Sequence, residues 1–333
     1  MSAHALHSNQ AISRPTWAVP IADLLDAVED TIESAIDSRI DIVSHISTHV
    51  FSAGGKRIRP ALVILSASAC GSNVDRGRVT KLAAAVELVH TASLLHDDVV
   101  DSAAARRGVC TANSLWGNRL SVLGGDFLLS KAFSLLACAE STEILSVLSS
   151  AAVSMAESEM LQAASEGSLD CWRANYWQII QGKTAALMAA CCECGALLAG
   201  ADAGLRQAFS EYGTSVGLAF QITDDLLDIV GNPAQTGKDV GTDLMNGKFT
   251  LPVLLAYEKD SALINGMVGS GRLSREDARR VAALVLEHGT AEQARRVAQD
   301  YADRACRALD AVPESGHTSA LRALAGSLVQ REA

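Results

Sequence analysis

Proline is nearly missing from the middle of this chain. The 333 residues include six prolines, and none lies between Pro60 and Pro233. Proline breaks helix interiors and is excluded from central strands, so the gap alone selects neither element. Its neighbours do: alanine and leucine dominate, β-branched runs are short, and alanine is the strongest helix former. Aromatic residues make up only 4% of the chain, leaving aliphatic and small side chains to fill the interior. Basic residues number 28 against 38 acidic, a net charge of −10. That balance excludes a nucleic-acid footprint and a polybasic membrane patch, though not a local basic pocket. A hydrophobic share of 49% excludes a disordered chain.

Cysteine pairing signals are also lacking. None of the eight cysteines forms a convincing C-x-x-C pair, and Cys191, Cys192 and Cys194 sit in the apolar helical stretch AALMAACCECGALLAG. Small buried thiols on a packed helix, in a reducing cytoplasmic compartment, are the expectation. The N-terminus has no basic region followed by an apolar run, so no secretory signal is expected. No uninterrupted apolar stretch reaches bilayer-spanning length, which leaves membrane contact, if any, peripheral.

What is present is helical periodicity. Helices are expected at Ile21 to about Ser47, from Pro60 through ALVILSASAC, and at Val79 to Asp101. Further ones are expected over SVLGGDFLLSKAFSLLACA, at Thr142 to Gly167, and from Cys171 past QGKTAALMAACC. The rest fall at Gly204 to Ile229, Thr250 to Glu258, Ser274 to His288, Thr290 to Ala311 and Ser319 to Gln330. Nothing resembles a hairpin signal or a βαβ rhythm. Residues 1–17 read as a disordered tail, and 18–333 as a single all-α domain.

Two carboxylate triplets interrupt this apolar background. HDDVVD holds Asp97, Asp98 and Asp101, and FQITDDLLD holds Asp224, Asp225 and Asp228. Positions i and i+4 share a helix face, so Asp97 aligns with Asp101 and Asp224 with Asp228. Three acids within five residues repel one another and need a cationic partner. Hard divalent ions take oxygen ligands, and Mg²⁺ binds through one or two carboxylates plus substrate phosphates. Basic residues cluster near both triplets: Lys56, Arg57 and Arg59 in GGKRIRP, Arg106 and Arg107 after the first, Lys183 in QGKTAA, and Lys238 and Lys248 after the second. Lysine and arginine are natural phosphate donors. The nucleotide-loop spacing is absent from the GGK segment.

With these motifs in order, from GGKRIRP through LVHTASLLHDDVVD, RRG, GDFLLSKAF, GKTA, FQITDDLLD and GKDVGTD to GKFTLP, the sequence resembles the trans-polyprenyl diphosphate synthase family along nearly its whole length. The resemblance implies an isoprenoid synthase fold, a large helical bundle around a central cavity, usually in a homodimer. It implies an enzyme that condenses isopentenyl diphosphate with an allylic diphosphate, using a trinuclear Mg²⁺ cluster for which Mn²⁺ can substitute. By motif, Asp97, Asp101, Asp224 and Asp228 resemble metal ligands, with Asp98 and Asp225 beside them. Lys56, Arg59, His90 and Arg107 resemble the isopentenyl diphosphate clamp. Arg106, Lys183, Thr184, Gln221, Lys238 and Lys248 resemble the allylic diphosphate side. Cys110 departs from the proline common in relatives.

Product length is expected to follow the residues eight, five and four before Asp97: Val89, Ala92 and Ser93. All are small where short-chain relatives usually carry aromatics, with a floor near Leu129 or Phe133. The expectation is a long product for a quinone tail. A farnesyl or geranylgeranyl diphosphate synthase, and a subunit of a heteromeric synthase, remain alternatives.

Overall fold

In this computed structural model the described residues are 14–71, 74–138, 140–231, 241–268 and 272–330. Helices supply nearly all their regular structure, as the alanine-leucine background requires. In chain order α1 spans Ala22–Ile36, α2 Asp41–Ser52, α3 Ile58–Cys70, α4 Arg76–Val100 and α5 Ala112–Trp116. Then come α6 at Asn118–Ala137, α7 at Thr142–Ser165, α8 at Leu169–Ile180, α9 at Ala186–Leu198 and α10 at Ala203–Val230. Later helices include Leu251–Lys259, Ser261–Val268, Arg275–Glu287, Thr290–Ala308 and Gly316–Val329. Several starts are set by side-chain caps: Asp75 accepts from the Arg78 N–H at 3.0 Å, and Asp202 from the Leu205 N–H at 2.9 Å.

Three expectations need correction. The first helix is broken at 37–40, because Ser38 and Ser44 draw the backbone into a turn: Ser44 Oγ donates to the Ser38 carbonyl at 3.0 Å and accepts from its N–H at 3.3 Å. A two-residue antiparallel ribbon, β1 Ala105–Arg106 against β2 Val109–Cys110, follows α4. Its turn residues Arg107 and Gly108 both have positive φ, 52° and 79°, the tight-hairpin conformation. The packed chain starts before residue 18: Thr16–Ile21 is a 3₁₀ turn and Trp17 is buried. The rest of the expected tail, 1–13, lies outside the described residues. α6 and α7 are long and apolar enough to cross a membrane by length and composition, but charges interrupt each, so the expectation that no uninterrupted apolar stretch reaches that length is unchanged. Most of each apolar window is unburied in the single chain.

The interior forms two buried clusters. One gathers α1 to α4, α6, α7, α9 and the first part of α10, through Phe209, Tyr212 and Val216. The other gathers α8, the second part of α10, through Leu218, Ile222 and Leu226, and the helices from Leu251 to about Ala298, while Gly316–Val329 packs into the first cluster through Leu321 and Leu324. At about 1.5 Å per residue, α10 runs through both and fixes them together. The three grouped thiols on α9 are buried, as expected. Between α8 and α9 the helix widens into a π turn, Gln181–Ala185.

Candidate active site

Close backbone approach brings the π turn against α10. A Cβ on Gly213 would sit 2.6 Å from the Ala189 Cα, and one on Gly217 would collide with the Ala185 backbone. Four residues further along the same face comes Gln221, then Asp225. The Thr184 hydroxyl donates to Gln221 Oε1 at 2.7 Å, and Gln221 Nε2 donates to Asp225 Oδ1 at 2.8 Å. On the other side, the Tyr176 hydroxyl donates to Asp225 Oδ2 at 2.8 Å. Asp225 is buried, with both oxygens engaged by protein donors. Burial and the nearby Asp243 push its carboxyl up to about 7, against the two hydrogen bonds that lower it.

The first triplet divides in the same way. Asp98 is buried and holds the hairpin: Arg106 Nε and Nη2 both lie 2.8 Å from Asp98 Oδ1. Asp97 is half-buried. Burial and the Glu159 carboxylate push it up to about 6, opposed by Lys183 and Arg106. Lys183 is paired with Glu159 of α7 at 2.6 Å and donates to Gln162 Oε1 at 3.3 Å. Burial works to lower the Lys183 ammonium, but Glu159 and Asp97 raise it overall.

The triplets share one site. Lys248, itself buried, places its ammonium 3.0 and 3.2 Å from the two oxygens of Asp101. Its N–H donates to the Asp243 carbonyl at 2.8 Å, and the Asp243 N–H donates to Asp228 Oδ2 at 3.1 Å. This chain spans from the end of α4 to the end of α10. Asp224 is half-buried on α10. Lys238 lies outside the described residues.

A basic cleft adjoins the first triplet, lined by the α2 end, α4 and the hairpin, with His90, Asp98, Arg106 and Arg107 in its wall. Burial, followed by Arg59, Arg107, Arg106 and Arg57, holds the His90 imidazole well below its ordinary value, so it is neutral. The Arg59 Nε is buried without a hydrogen-bond partner. Arg107 donates to the Gly54 carbonyl, Gly54 has a positive φ of 71°, and a Cβ on Gly55 would meet the Arg107 guanidinium at 2.9 Å. Lys56 is exposed in the same loop. Arg57 ties helices together: its Nη1 binds Glu87 at 3.0 Å while Nε and Nη2 hold Glu29 of α1 at 2.5 and 3.1 Å.

The expected length-setting residues separate. Val89 and Ala92 are buried on α4, Ser93 is half-buried there, and Leu129 is half-buried on α6. Phe133 does not form a floor. It is 52% exposed on the outer face of α6, a helix turn beyond the buried Leu128–Ala132 side. The sequence alone does not single out Glu159, Gln162 and Tyr176. The E-x-x-Q spacing on α7 is the one signal available there, because i and i+3 share a face.

The donor set suits a hard cation, being carboxylate oxygen. Among the described residues no group of three or more His, Cys, Asp or Glu converges to hold an ion unaided.

Comparison with known proteins agrees with this geometry. A family profile, polyprenyl synthetase, matches residues 40–285. The chain is 39% identical over 295 residues to the octaprenyl diphosphate synthase of Escherichia coli, covering 87% of this chain and 90% of that one. It is 38% identical over 297 residues to a short chain isoprenyl diphosphate synthase of Methanothermobacter thermautotrophicus, covering 86% and 89%. The polyprenyl synthase structure from Caulobacter crescentus, complexed with calcium and isoprenyl diphosphate, superposes with a TM-score of 0.90 at 38% identity, covering 95% of this chain and 97% of that one. The fold is thus the all-α bundle of isoprenoid synthases.

Proposed function

The chain belongs to the polyprenyl synthetase family of trans-prenyltransferases, and from that premise we propose that it extends an allylic diphosphate, farnesyl or geranylgeranyl, with isopentenyl diphosphate. The observation that carries this reading is the placement of a neutral His90 and the unpartnered Arg59 Nε among arginines beside two carboxylate motifs that share one site. Arginines and lysines facing both triplets suit two diphosphate groups held side by side.

Asp97, Asp101, Asp224 and Asp228 would hold Mg²⁺, or Mn²⁺ in its place, and the ions when bound offset charge on the departing diphosphate. Lys183, Lys248 and Arg106 hold that diphosphate, and Lys56, Arg59, His90 and Arg107 hold the second substrate. The allylic C–O bond breaks, the isopentenyl double bond attacks the cation, and a proton leaves to the released diphosphate. The protein's part is to orient both substrates and keep water from the cation. Thr184 and Gln221, hydrogen-bonded at 2.7 Å, would turn acceptor dipoles toward the positive charge.

A long product, roughly seven to ten isoprene units for a quinone tail, is supported by the small side chains at Val89, Ala92 and Ser93, since bulk on the tail's path sets a steric limit. Identity to octaprenyl and short-chain relatives is nearly equal, so similarity does not choose between lengths. A homodimer is supported by the exposed apolar residues Leu123, Phe133, Leu145, Val153 and Met160 on α6 and α7.

The purified chain, given Mg²⁺, isopentenyl diphosphate and farnesyl diphosphate, should yield polyprenyl diphosphates that chelation with EDTA abolishes. Sizing the dephosphorylated alcohols checks the length. Absence of elongation would reject the synthase reading, and products stopping at one or two additions would reject only the long chain.

A further inference from the structure

Tyr176 stands apart from the metal-facing carboxylates and the basic cleft, yet it is tied to the site. It lies on α8, seven residues before Lys183, and is 1% exposed. A buried phenol needs a hydrogen-bond partner, and here the partner is a carboxylate, Asp225 Oδ2, at 2.8 Å. Two buried polar groups of this kind are rarely better for stability than two apolar ones of the same shape. What such a pair supplies is orientation.

The group it orients is the Gln221 carboxamide. An amide has nearly the same shape when flipped, but its oxygen and nitrogen exchange places. Asp225 Oδ1 accepts at 2.8 Å, so Gln221 must turn Nε2 toward it. Gln221 Oε1 is then left to accept the Thr184 hydroxyl proton at 2.7 Å. With that proton directed at Gln221, Thr184 Oγ1 offers only lone pairs elsewhere. Tyr176 holds the other carboxylate oxygen and so stops the Asp225 side chain from rotating away. The order Tyr176 O–H, Asp225, Gln221 N–H, Thr184 O–H runs in one direction, each step fixed by the one before it.

We propose that Tyr176 is a positioning residue: acting through Asp225, it holds the Gln221 carboxamide with its oxygen, not its nitrogen, toward Thr184, so that the pair presents acceptor oxygens to the positive charge that develops on the allylic carbon. The inference rests on the prenyltransferase reading above. A flipped amide would aim a donor at a cation and oppose the reaction without altering how either diphosphate binds.

Tyr176→Phe keeps the ring and removes only the hydroxyl. Its kcat should fall on the order of tenfold while KM for both diphosphates stays within about twofold, because the arginines and lysines that hold them are untouched. Gln221→Leu should be slower still, and Tyr176→Phe combined with Gln221→Leu should be no slower than Gln221→Leu alone. Asp225→Asn is the second variant. Tyr176 would still donate to the side-chain oxygen, leaving an N–H to face Gln221 and forcing its amide to flip in a folded protein. Neutron diffraction from crystals of each variant without substrate, which tells amide oxygen from nitrogen, should show the Gln221 oxygen no longer at its Thr184 contact. An amide unmoved in both variants, a Tyr176→Phe kcat within twofold of wild type, or losses that multiply in the double variant would each overturn the proposal. A wild-type enzyme that makes no product would instead reject the prenyltransferase reading, and the amide orientation in the two variant structures would still decide the role of Tyr176.

Discussion

Asp225 shows how one residue can be favoured for orientation and carried at a loss in stability. Its folded carboxyl sits at about 7 against an ordinary 3.8, with burial as the largest cause. Between those values the native state keeps a proton that the unfolded chain has released. More protons are then bound in the folded state, so stability falls as pH rises from about 4 to about 7 and levels off above. Asp225→Asn removes this titration. Thermal unfolding in metal-free buffer should show the variant gaining on wild type between pH 5 and about 7, with a constant difference beyond. A difference independent of pH would mean that Asp225 is ionised in the native protein throughout. Ser93 offers a second residue-scale test. Ala92 is packed within α4's buried face, and a phenylalanine there would overpack by about 1–3 kcal/mol. Ser93, at the next position, is half-buried. Ser93→Phe should shorten the product by several isoprene units with little loss of stability, and an unchanged length would place the tail elsewhere.

At the scale of elements, α10 depends on what it lacks. Gly213 and Gly217 let its backbone lie against α9 and the π turn, and that approach brings Gln221 within 2.7 Å of Thr184. Gly217→Val should destabilise the fold by about 1–3 kcal/mol in chemical denaturation, because the Ala185 backbone must move, and should lower activity more than the stability loss explains. Gly326, also helical but with open space around it, is the control: Gly326→Ala should be neutral or slightly stabilising. The ends of α10 are legible from periodicity to within about a residue, and the aspartate motifs are legible because charge in an apolar helix stands out. The π turn is not legible, since its five residues have ordinary helical composition and only the pressure of α7 and α10 on Gly182 and Ala185 reveals why the helix widens there. The break at 37–40 is hidden because serine hydrogen bonds, not proline or glycine, interrupt the pattern. Glu159 and Tyr176 are hidden because helices distant in sequence carry them to Lys183 and Asp225. Phe133 reads as a floor in the sequence but faces outward on α6, an error of facing that a mostly apolar helix invites.

For the whole molecule, charge and hydrophobicity are distributed against the average. The net charge of −10 surrounds a cleft whose wall includes Arg57, Arg106 and Arg107, so the field outside does not predict the field inside. The outer faces of α6 and α7 are the converse: apolar where a single chain would be expected to be polar. Phe133 is 52% exposed, Val153 56% and Met160 74%. Burying several such side chains against a second copy gives about 25 cal/mol for each Å² of apolar surface removed from water, enough in a standard-sized interface to offset the loss of free motion. Wild-type protein should therefore sediment at twice the chain mass at micromolar concentration. Phe133→Asp combined with Met160→Glu places charge on these exposed positions without disturbing the buried side of either helix. The double variant should sediment as one chain and keep its helical circular dichroism. Sedimentation of the wild type as a single chain, or a variant that remains paired, would show that the two copies do not meet on this face. Salt separates the two possible origins of the pairing. An apolar interface holds or tightens as ionic strength rises, whereas one assembled from charges in this acidic protein would loosen as they are screened.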